Sequence, residues 1–167
     1  LKPGYGMSIM APQVAGTSAG RVLFASGIGN IGALFHFPAA AGVAPEPVWR
    51  NRAKTSIASA NSTPAIVGDT LYGCDCETGF LTAVDLATGK RLWETGEPTL
   101  GSRRGRHGTA FLVREGTAAS GRTWLFSETG ELILARLSPQ GYEEQGRTKL
   151  LDPTNECFGR EVVWSHP

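Results

Sequence analysis

One phrase of short β-type runs and glycine turns recurs three times along this chain, and it constrains the fold more than any other feature. Residues 71–93 read LYGCDCETGFLTAVDLATGKRLW. An apolar start leads into a turn at Glu77-Thr78-Gly79, an alternating run, a second turn at Thr88-Gly89-Lys90 and a closing Leu92-Trp93. Period-2 alternation broken by glycine-bearing turns is the pattern of antiparallel strands joined by hairpins. Upstream, Val22-Leu23-Phe24-Ala25 is followed by Gly29, then Ala33-Leu34-Phe35-His36-Phe37 and Val48-Trp49. Downstream, Thr123-Trp124-Leu125-Phe126 is followed by Glu128-Thr129-Gly130 and the run 132–137. The turn glycines Gly29, Gly79 and Gly130 are spaced by 50 and 51. First strands are expected at 10–14, 63–67 and 109–113, which gives each unit about four short strands, the content of one propeller blade.

Composition agrees with this reading. The chain has 22 Gly and 10 Pro among 167 residues, which favours tight turns over long helices. The Ala-rich stretch 39–44 is fenced by Pro38, Pro45 and Pro47 and reads as a loop. Sixteen Lys and Arg against fifteen Asp and Glu leave a net charge of +1, so bulk charge indicates neither nucleic acid nor a membrane surface as partner. No apolar run approaches the ~18 residues of a transmembrane segment, and residues 1–20 do not read as a signal peptide.

The stretch Ala83-Val84-Asp85-Leu86-Ala87-Thr88-Gly89-Lys90-Arg91-Leu92-Trp93 resembles the A-x-D-x-x-T-G-x-x-x-W signature of PQQ-like β-propeller repeats. Pro64, Tyr72 and Gly79 extend the match in the middle unit. The first unit keeps Gly29, Ala33 and Trp49; the third keeps Gly130 and Ala135, with Gln145 where the Trp would fall. The repeat is shared by quinoprotein dehydrogenases and by non-catalytic scaffold proteins, so the resemblance implies a fold more firmly than an activity. The signature residues have packing roles. Thr88-Gly89 suits a hairpin turn, Ala83 a close approach of two blades, and Trp93 a position buried between sheets where its indole N–H needs an acceptor.

The expected fold is therefore all-β: about three four-stranded antiparallel blades of a partial β-propeller. Blade 1 takes 1–52, blade 2 53–100 and blade 3 101–161, with 162–167 starting a further blade. Closed propellers have typically four to eight blades, and three leave two apolar faces uncovered. The chain is accordingly expected to be a fragment of a larger propeller of seven or eight blades. The remaining blades of the parent chain or another copy of this chain would be the partner.

Three segments carry candidate chemistry. Cys74-Asp75-Cys76 would put two thiols on one face of an extended strand. A metal site, a disulfide with Cys157, and plain buried thiols all remain open for it. Cofactor-binding members of the resembled family often carry two adjacent cysteines, whereas this chain has C-D-C. Arg103, Arg104, Arg106 and His107, set among glycines, could offer guanidinium forks and backbone N–H groups to a carboxylate or phosphate. The competing reading is a basic loop clamped by internal acids, with Glu128 and Glu156 as candidates. Asn155 and Glu156 lie in a polar stretch ahead of Trp164 and His166, where Glu156 or Glu161 could pair with His166 as acid and base.

No nucleophile elbow, Walker loop, zincin motif or dinucleotide fingerprint is present. The leading expectation is a non-catalytic scaffold that binds a protein or small-molecule partner, with no cofactor and no bound metal. Two alternatives come from other classes. One is part of a quinoprotein dehydrogenase holding PQQ with Ca²⁺, for which Asp75, Glu128, Asn155 and Glu156 are the available residue types. The other is a propeller region accessory to an enzyme domain elsewhere in the parent chain. The resemblance implies a periplasmic or extracellular location.

Overall fold

A computed structural model of the chain describes residues 11–17, 20–29, 31–38, 40, 42–50, 55–116 and 122–166. The expected strand start at Met10, the boundary between 52 and 53, and Pro167 lie outside them. Among the described residues the protein is all-β, without helices, and every strand pairing is antiparallel. No helix among them is long and apolar enough to cross a membrane.

The first sheet orders β1 (Gln13–Thr17), β2 (Gly20–Gly27), β3 (Ile31–Phe37) and β4 (Glu46–Arg50) as they follow in sequence. The second does the same with β5 (Ala65–Val67), β6 (Thr70–Cys74), β7 (Leu81–Asp85) and β8 (Arg91–Thr95). The third comprises β9 (Ala110–Arg114), β10 (Arg122–Ser127), β11 (Glu131–Ser138) and β12 (Gly141–Lys149). A separate two-stranded sheet pairs β13 (Asn155–Cys157) with β14 (Arg160–Val162). The third four-stranded sheet thus ends at Lys149, and the hairpin runs across the expected boundary at 161.

Gly29, Gly79 and Gly130 each stand in the turn between the second and third strands of their sheet, all at positive φ. At Gly79 a Cβ would collide with the Gly105 carbonyl, and at Gly130 with the Leu151 carbonyl. These turns need glycine both for φ and for the close approach of a following segment.

Two apolar layers hold the sheets together. Val22, Phe24 and Leu34 of the first sheet pack on Ile66, Leu71, Val84 and Leu86, with Ile57 between them. Tyr72, Cys74, Leu81 and Ala83 of the second pack on Leu125, Ile133, Ala135 and Leu137 of the third. Strand alternation explains this: the residues of β6 and β7 that miss one layer enter the other.

Each layer is closed by a Trp from the last strand of the preceding sheet. Trp49 Nε1 donates to the Leu86 carbonyl at 2.7 Å, and Trp93 Nε1 to the Ser138 carbonyl at 2.8 Å. Trp93 is partly buried and packs on the second layer, from β8, the outermost strand of its sheet.

A β-bulge interrupts the last strand of each four-stranded sheet, and it corrects the repeat alignment in the third. Leu34 pairs with Trp49, Ala83 with Trp93 and Leu134 with Gly146. Gln145 is the extra residue of its bulge, so Gly146 occupies the tryptophan position.

Candidate functional site

The densest polar arrangement gathers around Glu128, in the turn between β10 and β11. Its side chain is buried, and both carboxylate oxygens are engaged. Arg160 Nε donates to Oε1 at 2.6 Å. Oε2 accepts from the Thr109 backbone N–H at 2.9 Å, Trp164 Nε1 at 3.1 Å and a second Arg160 nitrogen at 3.3 Å. A carboxylate removed from water must be paired and hydrogen-bonded to remain charged, and this one is.

Asp75 repeats the device one sheet earlier. It is fully buried; Oδ1 accepts the Ala58 N–H at 2.9 Å, and Oδ2 lies 3.1 Å from an Arg91 nitrogen. Oδ2 also accepts from the Thr78 N–H and hydroxyl at 3.2 and 3.1 Å. In both sheets the turn acid ties down the segment that leads into its own first strand.

The arginine loop between β8 and β9 packs against the hairpin of β13 and β14. Arg160 donates to the Arg106 carbonyl at 3.0 Å. The His107 ring stacks on Phe158 at 5.0 Å between centroids and 8° between planes, and Trp164 lies 6.3 Å from the same imidazole. His107 and Phe158 adopt φ of 60° and 52°, a left-handed conformation unusual for non-glycine residues. Burial holds the His107 pKa below the ordinary imidazole value, and the nearby Arg106 and Arg160 push the same way against Glu77 and Glu128.

The loop cations have partners other than those considered from sequence. Arg104 pairs with Glu94 and lies over the Phe80 ring at 5.0 Å. Arg106 pairs with Glu77 at 3.4 Å. Glu128 is taken by Arg160, and Glu156 forms no ion pair among the described residues. Arg103 is exposed and makes no ion pair among them either.

Asn155 and Glu156 lie on β13 and line a cavity of about 740 Å³ together with Leu151, Thr154, Cys157 and Trp164. Arg103, Arg104, Arg106 and His107 are absent from that lining. The sequence candidates therefore fall into two neighbouring groups, with Trp164 shared between them. Glu156 sits opposite Glu161 across the hairpin, while the His166 ring packs on Phe111 at 4.4 Å. The acid–base pairing considered for these residues is not formed.

The cysteines are thiols. None of the three forms a disulfide, and Cys74 and Cys76 are buried. They do not share a strand face, because β6 ends at Cys74 and Cys76 belongs to the turn. Cys74 packs toward the third sheet, whereas Cys76 joins Ala58 and Ala60 in a small separate cluster. Burial pushes the Cys74 thiol up to about 12, which suppresses thiolate chemistry at neutral pH.

The four residues considered for a PQQ and Ca²⁺ site do not fit it together. The oxygens of Asp75 and Glu128 already accept N–H groups and face guanidinium groups, which repel a divalent cation. Asn155 and Glu156 lie together on β13 in the lining of the cavity, where neither Asp75 nor Glu128 is found.

The pairing of Glu128 with Arg160 escaped the sequence reading. A usable signal was present: the motif D-x-x-T-G occurs at 75–79 and again at 85–89, and S-E-T-G at 127–130 places an acid in the corresponding turn. Compared with known proteins, the chain matches no family model and no curated protein.

Proposed function

We propose that this chain is a run of PQQ-like propeller blades that serves as a non-catalytic scaffold, binding its partner beside the hairpin of β13 and β14. One observation carries the reading. The two buried acids are consumed by internal contacts, Asp75 by Arg91, Ala58 and Thr78, and Glu128 by Arg160, Trp164 and Thr109. A general acid or base needs a lone pair or proton free to reach substrate.

The cavity supports the binding half of the proposal. Its volume of about 740 Å³ falls within the usual range for small-molecule sites, roughly 300–1,000 Å³. Its lining mixes apolar Leu151, Val162 and Trp164 with Thr154, Asn155, Glu156 and Ser165. A periplasmic or extracellular setting accompanies this reading through the resemblance.

The test sets the scaffold against the quinoprotein alternative. The protein is titrated with PQQ in the presence of Ca²⁺, followed by absorbance of bound cofactor and by dye-linked alcohol oxidation. Neither saturable binding nor oxidation is expected. Binding accompanied by turnover would replace the scaffold with a dehydrogenase.

A further inference from the structure

Three successive sheets present the same row of side chains on the same face. In the first sheet Phe24, Leu34 and Trp49 stand side by side across β2, β3 and β4. In the second the row is Tyr72, Ala83 and Trp93. In the third it is Val113, Trp124, Leu134 and Gly146. The first two rows are covered by the next sheet, and each Trp donates to a carbonyl there. Part of this third face is covered from within the chain, since Phe111 and Phe126, which share it, are buried and the His166 ring packs on Phe111. Beyond that cover no fourth four-stranded sheet occurs among the described residues, Val113 is 49% exposed, and Trp124 and Leu134 are partly buried.

The opposite face of the first sheet is the counterpart. Faces of β2 that do not enter the first apolar layer carry Leu23, which pairs with Val14 on one side and Phe35 on the other. Phe37 continues the same face and is 37% exposed, while Val14 is 58% exposed. In the second and third sheets the corresponding face is the one that receives the preceding sheet.

The two open faces also match in detail. The third row has a gap where the others have indole, since Gly146 replaces the Trp and a Cβ there would meet nothing within 4 Å. Within the chain, the Trp reaches the end of the third strand of the receiving sheet: Ser138 is the last residue of β11, and Leu86 directly follows β7. The last residue of β3 is Phe37. A large aromatic side chain on the receiving face thus stands where it could fill the volume that Gly146 leaves empty.

We infer that the open face of the third sheet docks against the first sheet of a second copy of this chain, with Phe37 of one copy seated at Gly146 of the other. This goes beyond the scaffold reading and does not depend on what the cavity binds. The contact is heterologous, joining different surfaces of the two copies, so it either closes into a ring or continues head to tail. Apolar rows of this kind exposed on a monomer are an association surface by their nature.

Light scattering coupled to size exclusion, and sedimentation from low to several hundred micromolar, read the assembly directly. Concentration-dependent association is expected, and Phe37→Asp should raise the dissociation constant at least about tenfold, as loss of a central aromatic anchor does. Gly146→Trp is expected to weaken association as well, because the indole occupies the seat of Phe37. Combining it with Phe37→Ala should recover association, since the new Trp then restores the packing used inside the chain. Circular dichroism of each variant confirms that the strands are retained. A chain that stays monomeric throughout, or an assembly indifferent to both single variants, would overturn the inference and assign the face to another occupant.

Discussion

Trp93 donates its indole N–H to the carbonyl of Ser138, 45 residues further along and on the next sheet. Trp49 makes the same bond to Leu86 across 37 residues. In each case the aromatic also leans on a ring of its own sheet, Tyr72 or Phe24, with centroids 6.0 Å apart. The contact that links consecutive sheets therefore combines apolar area with one directional bond. That bond fixes how far one sheet slides along the other.

Removing these contributions separately should give graded losses. Trp93→Phe keeps most of the apolar contact and deletes the donor, so stability should fall by about 1 kcal/mol. Trp93→Ala also opens a cavity and should cost about 3 kcal/mol, the low end for such truncations because the side chain is partly buried. Urea denaturation midpoints check both, and equal losses for the two variants would deny the hydrogen bond its role.

Gly79 and Gly101 separate steric contact from backbone strain. Both have positive φ, 72° and 64°. A Cβ at Gly79 meets the Gly105 carbonyl, whereas at Gly101 it meets nothing within 4 Å. Gly101→Ala should cost about 1 kcal/mol from conformation alone. Gly79→Ala should cost several times as much, since Gly105 and Gly108 must be displaced. Thermal unfolding of the two variants in parallel is the comparison required.

The strand pattern was legible because alternation and turn glycines act locally: Gly29, Gly79 and Gly130 mark the turns between second and third strands, and the run 132–137 falls inside β11. The bulge in β12 was not, since an extra residue leaves alternation almost unchanged and only pairing with β11 reveals that Gly146, not Gln145, faces Leu134. Arginine partners were equally hidden. Arg160 and Glu128 are 32 residues apart, and only the folded hairpin brings them together. The cysteine geometry failed for a simpler reason: the strand ends at Cys74, so the two-residue periodicity does not extend to Cys76.

His107 predicts a pH dependence with a definite sign. Its pKa in the folded protein is lowered from 6.5, principally by burial. Below pH 6.5 the unfolded chain therefore binds the proton more readily than the folded one. Stability is complete above that value and falls as pH decreases toward the folded pKa. His107→Asn removes the titration while tolerating the left-handed backbone. Subtracting its stability profile from that of the unaltered protein between pH 5 and 8 should leave a slope confined to the acidic side. A flat difference would mean that the stacked imidazole titrates as freely in the folded protein as in the unfolded chain.

The Glu128–Arg160 pair is the strongest test of how the hairpin is anchored. Glu128 is 2% exposed in its side chain and Arg160 19%, so neither charge is well served by water if its partner goes. Glu128→Ala strands the guanidinium, the Thr109 N–H and the Trp164 N–H together, and should cost about 3–5 kcal/mol. Arg160→Met leaves a buried carboxylate with only the Thr109 and Trp164 donors, and a loss of similar size is expected. The double variant Glu128→Leu with Arg160→Met removes both charges at once. It should recover a large part of either single loss, because most of each penalty is the desolvation of the abandoned partner. A double-mutant cycle on denaturant unfolding measures this coupling. Single losses below about 1 kcal/mol, the range of exposed ion pairs, would show that the hairpin is held by the stacking of His107 on Phe158 and by the Val163 N–H on the Glu128 carbonyl instead.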